Sequence, residues 1–407
     1  MKSSDFLVKD GSDIRTVPVD AIAFVQGNVE WNRVSFRIQD GKILSCESRN
    51  DPAEFVVTPG FVNCHMHWLM LGEPTLEREI ELIKNRPDEM VGIVVENARA
   101  MVRKGITACC DKGPPGLETP RIYQGLQAAK SRGLPVPKTL VSTWTTSVDG
   151  AFASSLSRRV YSQNELEQLI RELQETGAGI MKIVPESGLH LAPFTYEWVF
   201  PENYFAVARE ITARLGLLLA IHAKSPESIG MGLKYSVDCI EHATEASGAQ
   251  LKEMQSKGIY LSPTLEGLWC RLNYAVSSGS GIATAAFEWG SATQMFRNAV
   301  VLNEGKPFTH FLFGSDAGSA CTPHASLREL YLMRRLGLPA EYCLQAAMIN
   351  GARFMRLHRS VGQLMPGYCA DMIFWRRNPL ELDVAEWERL DQYIAAVMLD
   401  GNLIEPE

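Results

Sequence analysis

The chain has 407 residues, of which 46% are apolar and 21% are charged, and its formal net charge is −7. This composition is that of an ordinary globular protein with a large core, and it excludes a disordered chain or a membrane-spanning bundle. Because the chain is acidic and has no run rich in Lys and Arg, it offers no footprint for phosphates, and we expect no nucleic-acid partner.

The N-terminal sequence MKSSDFLVKDGSDIRTV contains no apolar segment of signal-peptide length, and no stretch of the chain reaches the length of a membrane span. The nine cysteines form no Cys-x-x-Cys pair. Their odd number and apolar surroundings favour reduced thiols over a disulfide framework. We therefore expect a cytoplasmic protein with a small-molecule substrate, no membrane partner and a homo-oligomeric state.

Both ends of the chain have the pattern of short strands and tight turns. Apolar residues in the segment 34–38 alternate with polar neighbours, as in a half-buried strand, and Gly27-Asn28 and Asp40-Gly41 are typical of hairpin turns. Near the C-terminus, the segments 367–375 and 393–404 also indicate strands, and the second contains another Asp-Gly turn. The two ends are predicted to form one composite β-sandwich from residues 1–55 and 360–407.

Between these ends, from residue 56 to residue 359, short apolar segments alternate with amphipathic helical ones. Such alternation is typical of βα units around a parallel sheet, and eight strands close a (β/α)8 barrel. The eight predicted strands are 55–65, 105–113, 138–144, 179–185, 215–224, 237–244, 258–265 and 309–318. The predicted helices are 87–104, 119–132, 162–176, 201–215, 226–235, 246–257, 283–303, 326–336 and 340–357. We predict an α/β fold, namely a (β/α)8 TIM barrel with a small β-sandwich.

The first predicted barrel strand ends in TPGFVNCHMH, in which His65 and His67 are separated by one residue. Residues two apart on a strand point to the same face, so both imidazoles can reach one metal ion beyond the strand end. An isolated His-x-His is more often an ordinary polar pair at the start of a loop. The other strand ends must decide between these interpretations.

Active sites of such barrels lie at the C-terminal ends of the strands. The fourth strand carries Lys182, the fifth ends in His222, the sixth in His242 and the eighth in Asp316. Four of the eight histidines thus fall at predicted strand ends. Imidazole and carboxylate groups are ligands that zinc prefers, whereas a protonated lysine cannot ligate a cation.

Each of these residues also has an ordinary structural interpretation. Lys182 would lie along the barrel and pair its ammonium with Glu186 or Asp316, and Asp316 itself would be a turn residue between two glycines. His222 and His242 would be satisfied histidines at the edge of the core. The metal interpretation accounts for all of them together.

These motifs resemble those of the amidohydrolase superfamily. PGFVNCHMH, LAIHAK, CIEHAT and FGSDAGS are similar to its first-, fifth-, sixth- and eighth-strand motifs, and GQLMPGYCADMIFW is similar to its closing motif. The resemblance covers nearly the whole chain. The lysine in GIMKIV further resembles the prolidase-like branch, which includes dipeptidases.

The resemblance implies a centre of two divalent metal ions, with zinc as the expected metal, and a Lys182 carboxylated by CO2 into an anionic bridging ligand. A hydroxide that bridges both ions would attack the substrate, and Asp316 would be the catalytic residue that takes its proton and passes it to the leaving group. The expected reaction is hydrolysis of an amide (C–N) bond, as in an N-acyl amino acid or dipeptide, with esters as further substrates. The implied metal ligands are His65, His67 and Asp316 for the more buried ion, His222 and His242 for the other, and Lys182 for both.

The sequence departs from the family's patterns at two places. Deaminases of the superfamily place a glutamate three residues after the fifth-strand histidine, where this chain has Ser225. A mononuclear deaminase or ring-opening hydrolase of a heterocycle is therefore disfavoured, although it stays the alternative. The prolidase-like branch has small residues where this chain has Lys224 and glycines where it has residues 185–188, so the pocket differs. A non-catalytic assembly relative would be expected to lack ligands, and all six are present.

Further residues are predicted to contact substrate because they follow strand ends. Because several of these residues are aromatic, we expect part of the substrate to be apolar or aryl. Lys224 or His190 is available to bind a substrate carboxylate. For each of them the alternative is packing within its loop. The predicted substrate contacts are Trp68, Trp144, His190, Lys224 and His324, with Thr264, Trp198 and Phe200 as further candidates.

Overall fold

The computed structural model describes residues 8–9, 15–25, 28–73, 77–113, 119–191, 194–319 and 321–404. The strands are β1 (Val8–Lys9), β2 (Arg15–Val25), β3 (Asn28–Gln39), β4 (Lys42–Ser48), β5 (Val56–Pro59), β6 (Phe61–Met66), β7 (Ile106–Asp111), β8 (Lys138–Val141), β9 (Thr145–Ser147), β10 (Arg158–Arg159), β11 (Ile180–Ile183), β12 (His190–Leu191), β13 (Phe194–Thr195), β14 (Leu218–Ala223), β15 (Cys239–His242), β16 (Tyr260–Ser262), β17 (Met372–Trp375), β18 (Ile394–Leu399) and β19 (Asn402–Ile404).

The helices are α1 (Glu77–Asn85), α2 (Pro87–Arg103), α3 (Thr119–Ser131), α4 (Gln163–Glu175), α5 (Glu202–Leu215), α6 (Pro226–Lys234), α7 (Gly248–Lys257), α8 (Leu265–Ser278), α9 (Ile282–Val300), α10 (Arg328–Arg335), α11 (Ala340–Gln345) and α12 (Gly351–Phe354). A π-helical turn, Ala346–Asn350, joins the last two. Short 3-10 segments are Ser154–Leu156, Pro379–Glu381 and Glu386–Tyr393.

The two chain ends form one eight-stranded sheet in the order β19-β18-β17-β5-β2-β3-β4, with β1 beside β2. All neighbouring strands are antiparallel except β2 and β5. At the far edge, the backbone N–H of Ile43 in β4 donates to the Tyr368 carbonyl at 2.9 Å, so the sheet bends round towards the segment before β17. It encloses its own apolar core, which includes Phe36, Val57 and Phe374. The composite β-sandwich predicted from the sequence is confirmed.

Two Asp-Gly turns in this sheet adopt the backbone that a two-residue hairpin requires. Asp40 and Gly41 have φ of 50° and 76°, and Asp400 and Gly401 have φ of 47° and 73°, as in type I′ turns. The turns also contact each other, because a Cβ on Gly41 would lie 3.0 Å from the Asp400 carbonyl oxygen. Gly27 of the other predicted turn lies outside the described residues, although β2 and β3 pair on either side of it.

The chain passes from the sandwich to the barrel at Gly60. Its N–H donates to the Asp371 carbonyl at 3.0 Å, while the N–H of Phe61 donates to the Gly105 carbonyl at 2.8 Å. A Cβ at Gly60 would lie 2.1 Å from the Thr107 hydroxyl, so only glycine fits this crossing. The predicted first strand is thus two strands in different sheets, and barrel strands begin at residue 61 rather than 56.

The barrel contains eight parallel strand segments in chain order: β6, β7, β8 with β9, β11, β14, β15, β16 and the segment 311–317. Strands β6 and β14 are buried along their whole length, as is usual for parallel strands covered on both faces. The last segment closes the ring, because Leu312 N–H donates to the Leu261 carbonyl at 2.8 Å and Cys64 N–H donates to the Phe313 carbonyl at 2.7 Å. The predicted TIM barrel is confirmed.

Most predicted helices are present, and their ends follow local chemistry. Pro87 begins α2, Ser162 and Ser247 cap α4 and α7, and Gly216 ends α5 with φ of 72°. Helices α1 and α8 were not predicted from the sequence. Within the described part of the chain, no helix combines the length and apolarity needed to cross a bilayer.

Candidate active site

The six predicted ligands meet at the C-terminal end of the barrel, where all of them line one cavity of about 490 Å³. Nε2 of His67 lies 3.0 Å and Nε2 of His65 lies 3.3 Å from Oδ1 of Asp316. The rings of His222 and His242 meet edge to face, with centroids 4.4 Å apart. We call this group the ligand cluster: His65, His67, Lys182, His222, His242 and Asp316.

Three members of the ligand cluster already have the spacing of a metal site. One donor atom from each of His65, His242 and Asp316 lies within 4.8 Å of the other two. Two imidazole nitrogens and a carboxylate oxygen form a donor set that suits zinc and similar divalent ions.

The backbone at these strand ends is held in an uncommon conformation. His242, Thr264 and Asp316 have φ of 70°, 50° and 57°, a left-handed region that costs a residue with a side chain about 1–3 kcal/mol. The Asp316 N–H donates to the His65 carbonyl at 2.9 Å, which fixes its turn against the first strand. Such strain often marks functional positions, because it turns a side chain in a direction that a regular strand does not allow.

A second partner orients each of three histidines in the ligand cluster. Nδ1 of His67 donates to the Gly113 carbonyl at 2.8 Å, which turns Nε2 of the same ring towards Oδ1 of Asp316. Nδ1 of His242 bonds to the Thr264 hydroxyl at 2.6 Å, and Nδ1 of His65 bonds to the Glu241 carboxylate. Histidine ligands of metals usually have such a partner on the other ring nitrogen.

At His222, His242 and Asp316, electrostatics favours the protonation states that metal ligands need. Burial holds the pKa of His222 and of His242 well below the ordinary value, so both imidazoles are neutral. Burial alone would raise the pKa of Asp316, but the charge and hydrogen bonds of His65 and His67 hold it well below its usual range. His222 and His242 therefore offer neutral nitrogens beside an ionised carboxylate. Burial alone would lower the pKa of His67, but the hydrogen bond and charge of Asp316 raise it.

Lys182 has no hydrogen-bond partner among the described residues, although its amino group is buried. Its Nζ lies 4.0 Å from Oε1 of Glu241, and neither Glu186 nor Asp316 forms the ion pair that the ordinary interpretation expects. Burial lowers the pKa of Lys182, because an ammonium loses its hydration there. Glu186 instead accepts hydrogen bonds from the backbone N–H groups of Lys224 and Ser225.

Glu241 and Lys112 form a buried ion pair beneath the ligand cluster, and neither residue was predicted to belong to the site. Both side chains are fully buried, with Nζ of Lys112 3.0 Å from Oε1 of Glu241. Burial alone would raise the pKa of Glu241, but the charges of His65, Lys112 and Lys182 hold it well below its usual range. A glutamate inside an otherwise apolar strand, CIEH, was the available signal, because such a charge needs a buried partner.

The rest of the cavity is lined mainly by residues from outside the barrel strands. Gly267, Leu268, Arg271 and Tyr274 lie at the spacing of one helical face on α8. A Cβ at Gly267 would lie 3.0 Å from Oδ2 of Asp316, so this face of α8 packs directly against the ligand cluster. We call the main lining residues outside the cluster the outer wall: Phe152, Leu156, Lys224, Leu268, Arg271 and Tyr274.

Of the five predicted substrate contacts, Lys224 lines the cavity and the other four do not. Trp68 is fully buried and stacks on His324, whose Nε2 bonds to the His67 carbonyl at 3.0 Å. Trp144 is buried beneath the guanidinium of Arg158, and His190 is half exposed beside Ser187. Among the further candidates, Thr264 orients His242, while Trp198 and Phe200 pack on Phe205.

The sequence model of the Amidohydrolase family matches residues 56–404. Imidazolonepropionase of Erwinia tasmaniensis is 24% identical over 376 residues, which are 84% of each chain. A Xaa-Pro dipeptidase with bound methionine superposes with a TM-score of 0.80 and 21% identity, covering 96% of this chain and 100% of that one. A. niger ochratoxinase gives a TM-score of 0.78 and 18% identity, covering 97% of both chains. The structural likenesses support the fold, and the sequence match extends over most of the chain, so this chain belongs to the amidohydrolase family and is a hydrolase of that superfamily.

Proposed function

We propose that this hydrolase cleaves the amide bond of an N-acyl amino acid or dipeptide, and that divalent metal ions bind at its ligand cluster. The observation that supports this most directly is the buried amino group of Lys182, which has no hydrogen-bond partner among the described residues yet lines the same cavity as the four imidazoles of the ligand cluster. If the amino group of Lys182 becomes an anionic group, it can bind the metal ions as a ligand.

The residues fit such a centre. A neutral amine, which the lowered pKa of Lys182 favours, can attack CO2 and lose a proton to give a carbamate. The carbamate would offer two oxygen atoms, and the unsatisfied Nζ would no longer be an ammonium that repels cations. His65, His67 and Asp316 would hold one ion, His222 and His242 a second, and the carboxylated Lys182 both.

Divalent ions bound there would polarise the substrate carbonyl and lower the pKa of water towards neutrality. Residues of the chain would transfer the proton and bind the substrate. Asp316 is ionised and lies between His65 and His67, so its carboxylate oxygen can accept a proton from water and return it to the leaving nitrogen. The outer wall covers the cluster with Phe152 and Leu268, which hold the substrate and exclude bulk water.

The named relatives support an amide substrate. A Xaa-Pro dipeptidase acts on dipeptides by its name, and it shares the fold over nearly the whole chain. Zinc is the metal we propose, since the cluster is rich in imidazole nitrogen.

The test combines metal analysis with a substrate library. We expect about two equivalents of zinc per purified chain and hydrolysis of compounds among the N-acyl amino acids and dipeptides. Lys182→Ala should lower both the metal content and kcat/KM, the latter by about a thousandfold, a typical loss for a principal catalytic group. Lys252→Ala, an exposed position on α7, is the matched control. A single equivalent that Lys182→Ala leaves unchanged would contradict the bridged centre.

The second candidate function is a hydrolase of a heterocycle with one metal ion. The 24% identity to imidazolonepropionase, whose name denotes an imidazolone substrate, favours it. Against it, Ser225 occupies the position of the deaminases' glutamate, and its hydroxyl caps α6 and bonds to Glu186 rather than facing the cavity. Amino-heterocycles and cyclic amides in the same library separate the two functions.

A further inference from the structure

We infer that the cavity selects an N-acyl amino acid, with a free carboxylate and an uncharged acyl group, over a free dipeptide. This inference rests on the proposed amide hydrolysis and goes further, because it decides between the two substrate classes by their charge. Three features of the outer wall support it.

The first feature is a pair of cations held by one carboxylate behind them. Nζ of Lys224 lies 2.6 Å from Oε1 of Glu288, and Nη1 of Arg271 lies 3.0 Å from Oε2 of the same residue. Tyr196 donates a further hydrogen bond to Glu288 at 2.9 Å. The Glu288 side chain is only 2% exposed and does not line the cavity, whereas Lys224 and Arg271 do. Two positive charges thus face the cavity with one counter-charge, which leaves a surplus that suits a single carboxylate.

The second feature is where this surplus lies. Lys224 follows His222 by two residues, and the ring of Phe152 stacks on His222 with centroids 5.2 Å apart. Nζ of Lys224 lies 5.6 Å from the centroid of the same ring. Arg271 lies one helical turn after Gly267, which packs against Asp316. The cations therefore border the ligand cluster, within the reach of the carboxylate of an amino acid whose amide nitrogen is being released.

The third feature is the lack of a counter-charge for a substrate ammonium among the lining residues that the structure describes. Their carboxylates are those of Asp316, which belongs to the ligand cluster, and Glu73, which is already paired with Arg78. The remaining surface is largely apolar, with Phe152 and Leu268 as examples. An ammonium group buried there without a partner is strongly disfavoured, whereas an uncharged acyl or aryl group is favoured by burial.

Three matched compounds test the inference. They are 3-phenylpropanoyl-leucine, the dipeptide Phe-Leu, which adds only the α-ammonium, and 3-phenylpropanoyl-leucinamide, which lacks only the carboxylate charge. We expect kcat/KM for the first to exceed each of the others by at least about tenfold, which corresponds to 1.4 kcal/mol. Equal or faster cleavage of Phe-Leu would overturn the inference and leave amide hydrolysis intact.

If no amide in the set or in the wider library is cleaved, the proposed function fails. Binding of the three uncleaved compounds, measured by calorimetry on the metal-loaded protein, then still tests the charge selection. The same order of affinities would support it, and tighter binding of Phe-Leu would overturn it.

Variants of Lys224 and Arg271 test whether these two residues bind the substrate carboxylate. Lys224→Met and Arg271→Met should each lower kcat/KM for 3-phenylpropanoyl-leucine at least about tenfold more than for its leucinamide, since only the acid uses the charge. Arg271→Lys keeps the charge and should recover part of the loss. Arg297→Met, exposed on α9 and outside the cavity lining, is the control. Equal losses for acid and amide would show that the two cations only support the wall, and would overturn the assignment.

Discussion

The ligand cluster and the outer wall face the same cavity, but the chain builds them by different rules. The members of the cluster lie on barrel strands or directly after them, where strand alternation and the parallel order of the sheet decide which side chains converge. The outer wall comes mostly from the segment 151–157 and from α8, which are additions between strands. The first region therefore follows from the barrel strands themselves, and the second from the segments that connect them.

The ligand cluster and the outer wall should also differ in how strongly substitutions there affect the stability of the fold. The ligand cluster depends on buried charges and on a strained backbone at His242 and Asp316, so small displacements there should cost catalysis and stability together. The outer wall is partly exposed, with Phe152 38% and Tyr274 42% accessible. Changes in the wall should alter substrate binding while the fold stays intact. The variants that follow test this separation, from the largest expected effect to the smallest.

Glu241→Gln tests the support of the ligand cluster from beneath. The variant weakens the bond that orients His65, and losses of about 10- to 100-fold in metal affinity and kcat/KM are expected for such a partner. It also leaves Lys112 buried without its counter-charge, so the free energy of unfolding should fall by about 3 kcal/mol. Metal titration and urea unfolding measure the two effects.

The double variant Lys112→Met/Glu241→Gln separates the effect on metal affinity from the effect on stability. It removes the unpaired ammonium and should recover much of the stability, while metal affinity stays low. Glu253→Gln, in an exposed pair with Lys257, is the control and should change stability by less than about 1 kcal/mol. Normal metal affinity in Glu241→Gln would mean that His65 needs no such partner.

Gly267→Ala tests the contact between the two regions. The new methyl group would lie 3.0 Å from Asp316 Oδ2, so the carboxylate must shift, and we expect kcat/KM to fall about tenfold or more. Alanine is favoured over glycine in a helix by about 1 kcal/mol, so the fold should not be weakened to the same degree. Gly290→Ala, which has open space on α9, should gain stability and keep its activity. Full activity of Gly267→Ala would mean that the wall does not constrain the cluster.

Phe152→Ala tests an aromatic side chain of the outer wall. Its ring stacks on His222 and lies under Lys224, and an aromatic contact of this kind contributes about 1 kcal/mol. We expect KM for the acyl substrate to rise about fivefold, with kcat within about twofold of the original value. Tyr161→Ala, an exposed ring outside the cavity lining, is the control. A fall in kcat without a rise in KM would place Phe152 with the ligand cluster rather than with the wall.

The contrast also explains how much of the site the sequence predicts. His65 and His67 are found by alternation on one strand, and His222, His242 and Asp316 by their positions at strand ends. The barrel and the sandwich follow from the same periodicities. Arg271 and Tyr274 were not predicted because α8 was not recognised. This helix begins directly after Thr264, whose backbone is left-handed and whose side chain makes no capping hydrogen bond, so the sequence contains no helix-start signal there.

Other features were missed for a different physical reason. The ion pair of Lys112 and Glu241 joins two strands that are distant in sequence, and nothing local indicates the pairing. Similarly, the separation of β5 from β6 depends on the close approach of Thr107 to Gly60, which only the folded chain contains. Local periodicity predicts elements and strand ends, whereas contacts between distant elements need the structure.

The smallest effect on activity is expected at the N-terminus of α8, where two carboxyl groups, Glu266 and Glu329, do not line the cavity. Glu329 accepts hydrogen bonds from the N–H groups of Leu265 and Glu266 at 3.1 and 2.6 Å, and the Ser326 hydroxyl donates to Glu266. Burial raises the pKa of Glu266 to about 7 from an ordinary value of 4.5. A carboxyl group with a raised pKa binds its proton more tightly in the folded chain than in the unfolded one. Its contribution to stability is therefore complete below about pH 4.5 and is lost as the pH rises through about 7.

Glu266→Gln should remove this part of the pH dependence, because the amide cannot ionise. Between about pH 4.5 and 7 the free energy of unfolding of the original chain should fall by roughly 3 kcal/mol relative to the variant. Urea unfolding across this range measures the difference, and Glu210→Gln, exposed on α5, should show none. Since Glu266 does not line the cavity, kcat/KM near neutral pH should stay within about twofold. A variant that keeps the original slope would show that Glu266 is ionised throughout. Burial would then not control the charge of Glu266 in the first turn of α8.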